Sequence, residues 1–273
     1  MAQSKDDRGR PTTDRRLPTA VDGRRSAVKW RTVIFVDLDD TIMQGPFWTA
    51  VFPIVFAELA RKTGLDEKEI RRQVVRENLE RQENPTISPV AAMDWDDIFD
   101  VVAGRLGVRL KAQAVEIVKA HAGPPDTAVL DDADVVLKQL ASPQRALVVA
   151  TKGLRKYQLP VLDALGLTPL FTDILTPDAH NAFKKDLAFF GEWPQAAPLR
   201  ISVGDHYEDD VVASKQFGCK SIWKVKTLDP GLQQLDPFAR PEAWKYAEEQ
   251  TVRPDAIIFS MRELPEVVER LER

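Results

Sequence analysis

The sequence predicts an α/β fold, in which a doubly wound parallel sheet carries an all-helical second domain. Residues 33–36 are an apolar, β-branched-rich run that ends in acidic residues, as a buried strand does where it opens into a loop. From about residue 43 to 125 the chain shows only helical periodicity. Beyond residue 125 strand-like and helical patterns alternate, which predicts a sheet with helices on both faces.

The helical stretch interrupts the sheet directly after its first strand. Its apolar residues recur every three or four positions, and glycine or proline separates the individual segments. The predicted helices cover residues 56–62, 66–83, 94–106 and 110–122. We therefore expect an all-helical domain inserted over residues 43–125, and a sheet domain built from residues 31–42 and 126–273.

The second part of the sheet domain begins after Pro125. Strands are predicted at residues 146–150, 199–203, 221–225 and 256–259, and helices at residues 133–140, 159–165 and 264–271. Because the first strand is separated from these by the helical stretch, both parts of the chain must join in one core.

Composition limits the class of protein. The chain has 273 residues, of which 44% are hydrophobic and 29% charged, which is typical of a soluble globular protein. Its single cysteine, Cys219, permits no intramolecular disulfide and makes a structural zinc site improbable. No apolar run approaches the roughly 20 residues that span a bilayer. We expect a cytoplasmic protein without membrane association.

The amino terminus is basic, with nine Lys or Arg residues against four Asp in residues 1–31. Two arginine pairs occur there, but no apolar segment of the kind found in an export signal follows them. We interpret residues 1–30 as a disordered, solvated tail. Since the remainder of the chain is acidic and offers no second basic patch, no nucleic-acid partner is expected.

Polar residues that can carry chemistry are predicted at the carboxyl ends of strands or in nearby loops. Open α/β sheets bind their ligands at the carboxyl ends of the strands. Carboxylates suit a hard divalent cation, and a hydroxyl and an ammonium group suit a phosphate. The candidates are Asp37 and Asp39, Thr151, Lys184 or Lys185, and Asp205 with Asp209 and Asp210.

Four motifs in order resemble those of the haloacid-dehalogenase-like (HAD-like) superfamily. Residues 33–41 resemble its first motif, an apolar strand followed by Asp-x-Asp-x-Thr, and residues 148–153 resemble the second, a strand followed by Thr. Residues 184–190 are similar to the third, although Lys185 stands where proline is usual. Residues 201–210 resemble the fourth, Gly-Asp followed by a further acid. Four such motifs in order, each at a strand end, are a specific signal.

The resemblance implies a Mg²⁺-dependent phosphatase that acts through an aspartyl-phosphate, with the helical insertion of residues 43–125 as a cap. Asp37 would be the nucleophile, and Asp39 would protonate the leaving oxygen and then deprotonate water. Mg²⁺ would be bound by the Asp37 carboxylate, the Asp39 carbonyl and Asp205. The substrate implied is a small, soluble phosphate monoester.

The remaining residues would stabilise charge and orient their neighbours. Thr151 would bind a phosphoryl oxygen, and Lys184 would neutralise the transferring group. Lys185 is the alternative lysine, but the spacing to the two phenylalanines of the third motif favours Lys184. Asp210, and less clearly Asp209, would orient the lysine or the metal's water ligands.

Three other functions are known or conceivable for a fold of this kind. A dehalogenase is disfavoured because those the chain resembles use the first aspartate without a second acid such as Asp39. A phosphomutase of the same superfamily, or a non-catalytic binding protein built on the fold, stays open because a fold does not determine an activity. The sequence fixes neither the substrate nor the oligomeric state.

Overall fold

Six parallel strands form the central sheet of residues 30–273, the part of the chain that the computed structural model describes. In chain order the strands are β1 (Thr32–Val36), β2 (Met43–Gln44), β3 (Ala128–Val129), β4 (Arg145–Ala150), β5 (Asp173–Leu175), β6 (Leu199–Gly204), β7 (Lys220–Lys224) and β8 (Ala256–Ile258). The sheet order is β5-β4-β1-β6-β7-β8, whereas β2 and β3 form a separate antiparallel pair. The predicted doubly wound parallel sheet is thus confirmed. The predicted basic tail, apart from Trp30, lies outside the described residues.

The order of the strands reverses beside β1. Chain progression runs from β1 outward through β4 to β5, and then restarts on the other side of β1 with β6. In open α/β sheets the crevice at such a reversal, outside the carboxyl ends of the strands, is where ligands bind.

Strand β1 is buried on both faces. Its residues alternate between two hydrophobic clusters, with Ile34 and Val36 in one and Val33 and Phe35 in the other. This alternation follows from the two-residue repeat of a strand. It explains why the strand is a continuous apolar run rather than an alternating one.

The segment between β2 and β3 is helical. A π-helical turn at Phe47–Val51 runs into α1 (Phe52–Thr63), followed by α2 (Glu67–Glu83), α3 (Pro89–Ala92), α4 (Trp95–Arg105) and α5 (Ala114–Ala120). The apolar faces of these helices belong to the same cluster as Ile34 and Val36. That the helical segment forms a separate cap domain over residues 43–125 stays a prediction.

Further helices surround the sheet. They are α6 (Ala133–Leu140), α7 (Arg155–Ala164), α8 (Pro177–His180), α9 (Ser214–Gln216), α10 (Pro230–Gln233), α11 (Arg240–Ala243) and α12 (Leu264–Leu271). Strand β5 was not predicted from the sequence, and α7 begins four residues earlier than expected. No helix within residues 30–273 has the length and apolar character needed to cross a membrane.

Candidate active site

A tight turn after β1 presents the carboxylate of Asp37. The carbonyl of Leu38 accepts hydrogen bonds from the backbone N–H groups of residues 41–43, and Asp40 adopts a left-handed conformation with φ 61°. The turn brings the hydroxyl of Thr41 back to donate to Asp37 Oδ2 at 3.0 Å. The side chain of Asp37 is therefore held at the carboxyl end of the central strand.

Lys184 supplies a buried positive charge at the same place. Its Nζ lies 2.6 Å from Asp37 Oδ1 and 2.7 Å from Asp210 Oδ1, and the residue is only 3% exposed. Burial alone would lower the pKa of Lys184, but the carboxylates of Asp210 and Asp37 outweigh it and hold the pKa above its usual range. The ammonium group therefore stays protonated. Lys185 is exposed and lies over the ring of Phe183.

Three carboxylates come together at this edge of the sheet. Oxygen atoms of Asp37, Asp205 and Asp210 all lie within 4.8 Å of one another. Asp205 follows β6, the strand next to β1, and burial together with the negative charges of Asp37 and Asp40 raises its pKa to about 6. A cation placed among these oxygens would relieve that repulsion.

Asp210 reaches Lys184 from a π-helical turn, Tyr207–Ala213, and is fully buried. Its Oδ2 accepts a hydrogen bond from the backbone N–H of His206 at 3.1 Å. The carboxylate lies directly against Gly204, where an added Cβ would come 2.2 Å from Cγ and Oδ2 of Asp210. Glycine at the end of β6 is thus required for Asp210 to approach the lysine.

Asp39 points to a different partner. Its Oδ2 accepts a hydrogen bond from the side-chain amide of Gln158 at 2.8 Å. Burial raises the pKa of Asp39 to about 6, against the Gln158 hydrogen bond, which favours the charged form, and with smaller contributions from neighbouring carboxylates. A carboxyl group with such a pKa can exchange a proton near neutral pH.

Thr151 and Asp209 complete the sheet edge. Thr151 directly follows β4, the other neighbour of β1, and its hydroxyl accepts from the backbone N–H of Gly153. Asp209 does not contact Lys184 directly. Instead its Oδ2 lies 3.0 Å from Lys152 Nζ and 3.0 Å from His206 Nδ1, and these partners hold the pKa of Asp209 below its usual range despite burial.

A cleft of about 460 Å³ opens beside the site, between the helical segment and the edge of the sheet. The helical segment contributes Asn78, Gln82 and Met93, and the sheet edge contributes Lys152, Lys184 and His206. Because Lys184 lines the cleft and contacts Asp37, a molecule bound in this cleft would lie next to the carboxylate cluster.

The predicted site residues therefore divide into two groups. Asp37, Lys184, Asp205 and Asp210 form one contiguous cluster, whereas Asp39 and Asp209 have separate partners. Thr41 and Gln158 contact predicted catalytic residues without having been assigned a role. The position of Thr41 in the first motif was a usable signal, but no motif marks Gln158.

Comparison with solved structures identifies the fold. The chain is similar to a HAD phosphatase from Thermococcus onnurineus, with 22% identity and a TM-score of 0.66 over 87% of this chain and 97% of the other. A HAD-hydrolase-type protein from Bacillus subtilis, bound to magnesium, matches with 17% identity and a TM-score of 0.57 over 88% and 99%. The L-2-haloacid dehalogenase from Xanthobacter autotrophicus matches with 16% identity and a TM-score of 0.57 over 88% and 98%.

These likenesses define the HAD-like fold, which is the fold of this chain. No protein-family model and no curated protein sequence matches the chain. These neighbours include both phosphatases and dehalogenases. The fold alone therefore does not distinguish between the two reactions.

Proposed function

We propose that the protein is a Mg²⁺-dependent phosphatase that hydrolyses a small phosphate monoester through an aspartyl-phosphate on Asp37. One observation carries the proposal: the carboxylates of Asp37, Asp205 and Asp210 lie within 4.8 Å of one another, and the buried ammonium group of Lys184 contacts two of them. Buried ionisable groups are costly to desolvate, and these gather at the strand reversal of an open α/β sheet, where ligands bind. Oxygen ligands for a hard cation beside a fixed positive charge suit the binding of a phosphate.

The residues present fit a magnesium ion. Asp37 and Asp205 would provide carboxylate oxygens and Asp39 its backbone carbonyl, all of which are hard donors of the kind Mg²⁺ prefers. Asp210 is fully buried and contacts Lys184 and the backbone N–H of His206, so we assign it to orienting the lysine rather than to binding the ion. When bound, the ion would offset the repulsion between the phosphate and the nucleophile.

In the first half-reaction a carboxylate oxygen of Asp37 attacks phosphorus, and the bond from phosphorus to the leaving oxygen breaks. Asp39 gives its proton to that oxygen, so that an alcohol departs. Hydrogen bonds from Thr41 and Lys184 hold the Asp37 carboxylate in one orientation before attack. The fixed charge of Lys184 stabilises negative charge on the transferring group.

In the second half-reaction water attacks the phosphorus of the aspartyl-phosphate. Asp39, now ionised, accepts a proton from that water, inorganic phosphate leaves and the Asp37 carboxylate is restored. The net reaction is hydrolysis of the ester, with Asp39 returned to its protonated form. Thr151, at the end of β4, is proposed to hydrogen-bond a phosphoryl oxygen.

The size of the cleft supports a small substrate. A volume of about 460 Å³ lies within the range of small-molecule sites and is lined by polar side chains from both the helical segment and the sheet edge. We propose that residues 43–125 act as a cap over this cleft and determine which leaving group is accepted. A soluble cytoplasmic metabolite would be the substrate.

The choice of phosphatase over dehalogenase rests on Asp39. In the resemblance described above, dehalogenases lack a second acid, whereas here Asp39 is held at the site by Gln158. An alcohol leaving group needs a proton, and a halide does not. Turnover of a 2-haloacid, without turnover of any phosphate ester, would reverse this assignment.

The test is an activity screen of the purified protein. Phosphate release is measured from sugar phosphates, phosphoglycolate, nucleotides and 4-nitrophenyl phosphate, with Mg²⁺ and with EDTA. We expect Mg²⁺-dependent release by the wild type and the Asp134→Asn control, which alters an exposed carboxylate on α6. Asp37→Asn should lose at least about 10³-fold in kcat, as expected for loss of a nucleophile. Equal activity of Asp37→Asn and the control would refute the proposal.

A further inference from the structure

The side chain of Gln158 makes a hydrogen bond that no sequence motif predicts. It lies in the first turn of α7, is 4% exposed, and donates from Nε2 to Asp39 Oδ2 at 2.8 Å across 119 residues of chain. A buried amide is costly unless its polar atoms are partnered, so this contact fixes the amide as well as the carboxyl group.

Two glycines make room for this pair. A Cβ on Gly153 would come 2.1 Å from Nε2 of Gln158 and 2.8 Å from its Cδ and Cγ. A Cβ on Gly45 would come 2.8 Å from Oδ1 of Asp39. The backbone at Gly153 and the backbone at Gly45 therefore lie close against the side chains of Gln158 and Asp39, respectively.

The two residues before Gln158 attach α7 to the helical segment. Lys156 Nζ lies 2.8 Å and 3.0 Å from the two carboxylate oxygens of Asp94, and 3.1 Å from Asp96 Oδ2. Tyr157 is 1% exposed, and its hydroxyl oxygen lies 2.8 Å from Asp94 Oδ1. The first turn of α7 is thus held on one side by the start of α4, while Gln158 reaches Asp39 on the other.

We propose that Gln158 is a positioning residue for Asp39: its buried amide engages Oδ2 and thereby fixes the orientation in which the Asp39 carboxyl group meets the leaving oxygen. This inference rests on the proposed phosphatase function. The amide N–H needs an acceptor, and Oδ2 of Asp39 supplies it. Gln158 donates to the side chain of Asp39, and it acts through the orientation of that side chain.

The test uses the dependence of kcat/KM on the leaving group. For each of a series of monoesters, from alkyl phosphates to 4-nitrophenyl phosphate, kcat/KM reports the step in which the leaving oxygen departs. General acid catalysis contributes about 10²–10⁴-fold where that oxygen needs a proton and little where it does not. In Gln158→Met, which keeps the side chain's length and removes the amide, we expect at least about a tenfold loss for alkyl esters and less than about threefold for 4-nitrophenyl phosphate.

Tyr157→Phe is the matched control on the same helix. It removes the hydroxyl contact with the start of α4 but keeps the ring and leaves Gln158 intact. We expect any effect of this variant to be the same factor for every ester. Gly153→Ala is the second variant, in which the new methyl group displaces the amide of Gln158, and it should reproduce the pattern of Gln158→Met.

A double-mutant cycle with Asp39→Ala shows whether Gln158 acts through Asp39. If it does, Gln158→Met changes alkyl-ester kcat/KM by less than about twofold once Asp39 is absent. Uniform loss across all esters in Gln158→Met and Gly153→Ala, or a full effect in the Asp39→Ala background, would overturn the inference. Absence of any wild-type phosphatase activity would instead refute the proposed function, so the two failures are distinguishable.

Discussion

Replacing Lys184 with methionine removes an ammonium group that contacts two of the clustered carboxylates. The Nζ atom of Lys184 lies 2.6 Å from Oδ1 of Asp37 and 2.7 Å from Oδ1 of Asp210. All three residues are buried. Methionine fills a similar volume, so the change mainly removes charge and hydrogen bonds. The carboxylates of Asp37 and Asp210 then lose the positive charge that lies between them.

The expected magnitude follows from this burial. Breaking a buried ion pair by removing one partner costs about 3–5 kcal/mol, because the remaining charge is left desolvated. Total stability of a domain is only about 5–15 kcal/mol. For a chain of this size such a loss corresponds to a decrease in Tm of roughly 6–20 °C. Solvent screening gives little relief, since Lys184 is 3% exposed.

The loss should depend on pH. Burial and the neighbouring carboxylate of Asp37 already raise the pKa of Asp210, and removing Lys184 withdraws the main charge that opposes this shift. A carboxyl group whose folded pKa is raised destabilises the folded state above that pKa, and the penalty disappears below the unfolded pKa near 4. The deficit of Lys184→Met should therefore be large at pH 8 and smaller at pH 5.

The assay is urea unfolding in EDTA at both pH values, with Lys185→Met as the matched control. Lys185 is the adjacent, exposed lysine, and we expect its replacement to change stability by less than about 0.5 kcal/mol. If Lys184→Met were as stable as Lys185→Met at pH 8, or if its deficit did not shrink at pH 5, the account of the charge cluster would be wrong.

Three further predictions test other parts of the structure. Mg²⁺ at about 100 times its Kd should stabilise the wild type by about 2.7 kcal/mol, and Asp205→Asn should lose most of that gain in thermal denaturation with and without the ion. Gly204→Ala should destabilise by about 1–3 kcal/mol in urea unfolding, because its methyl group would overlap the Asp210 carboxylate, and unchanged stability would contradict this close approach. For Glu58, hydrogen bonds from Lys62 and from the backbone of Lys111 and Ala112 outweigh burial and lower the pKa to about 2, so its stabilisation is present above pH 4.5 and is lost as pH falls through 2. Glu58→Gln should therefore lose about 1–2 kcal/mol at pH 7 and little at pH 2, as measured by urea unfolding.

The sequence predicted the sheet well where the chain is fully buried. β1 and β4 are continuous apolar runs because both of their faces are covered, and their ends coincide with Asp37 and Thr151. β5 was missed because it is three residues long and contains only two apolar residues. At that length local periodicity cannot distinguish a strand from a loop, and pairing with β4 decides the outcome.

The sequence could predict only those site residues that belong to a recognisable motif. The choice between Lys184 and Lys185 depended on spacing, and only the structure shows which lysine enters the carboxylate cluster. Asp209 and Asp210 are adjacent in sequence, yet the π-helical turn directs them to different partners. Gln158 could not have been found, because its contact with Asp39 depends on packing between segments 119 residues apart.

Trapping the proposed intermediate tests the central claim most directly. The protein is mixed with substrate and Mg²⁺, quenched rapidly, treated with borohydride to reduce any acyl phosphate to homoserine, and digested for mass spectrometry. We predict homoserine at position 37 in the wild type, only when substrate is present, and none in Asp37→Asn. An unmodified Asp37 during active turnover, or homoserine at Asp39 or Asp205 instead, would contradict the assignment of the nucleophile.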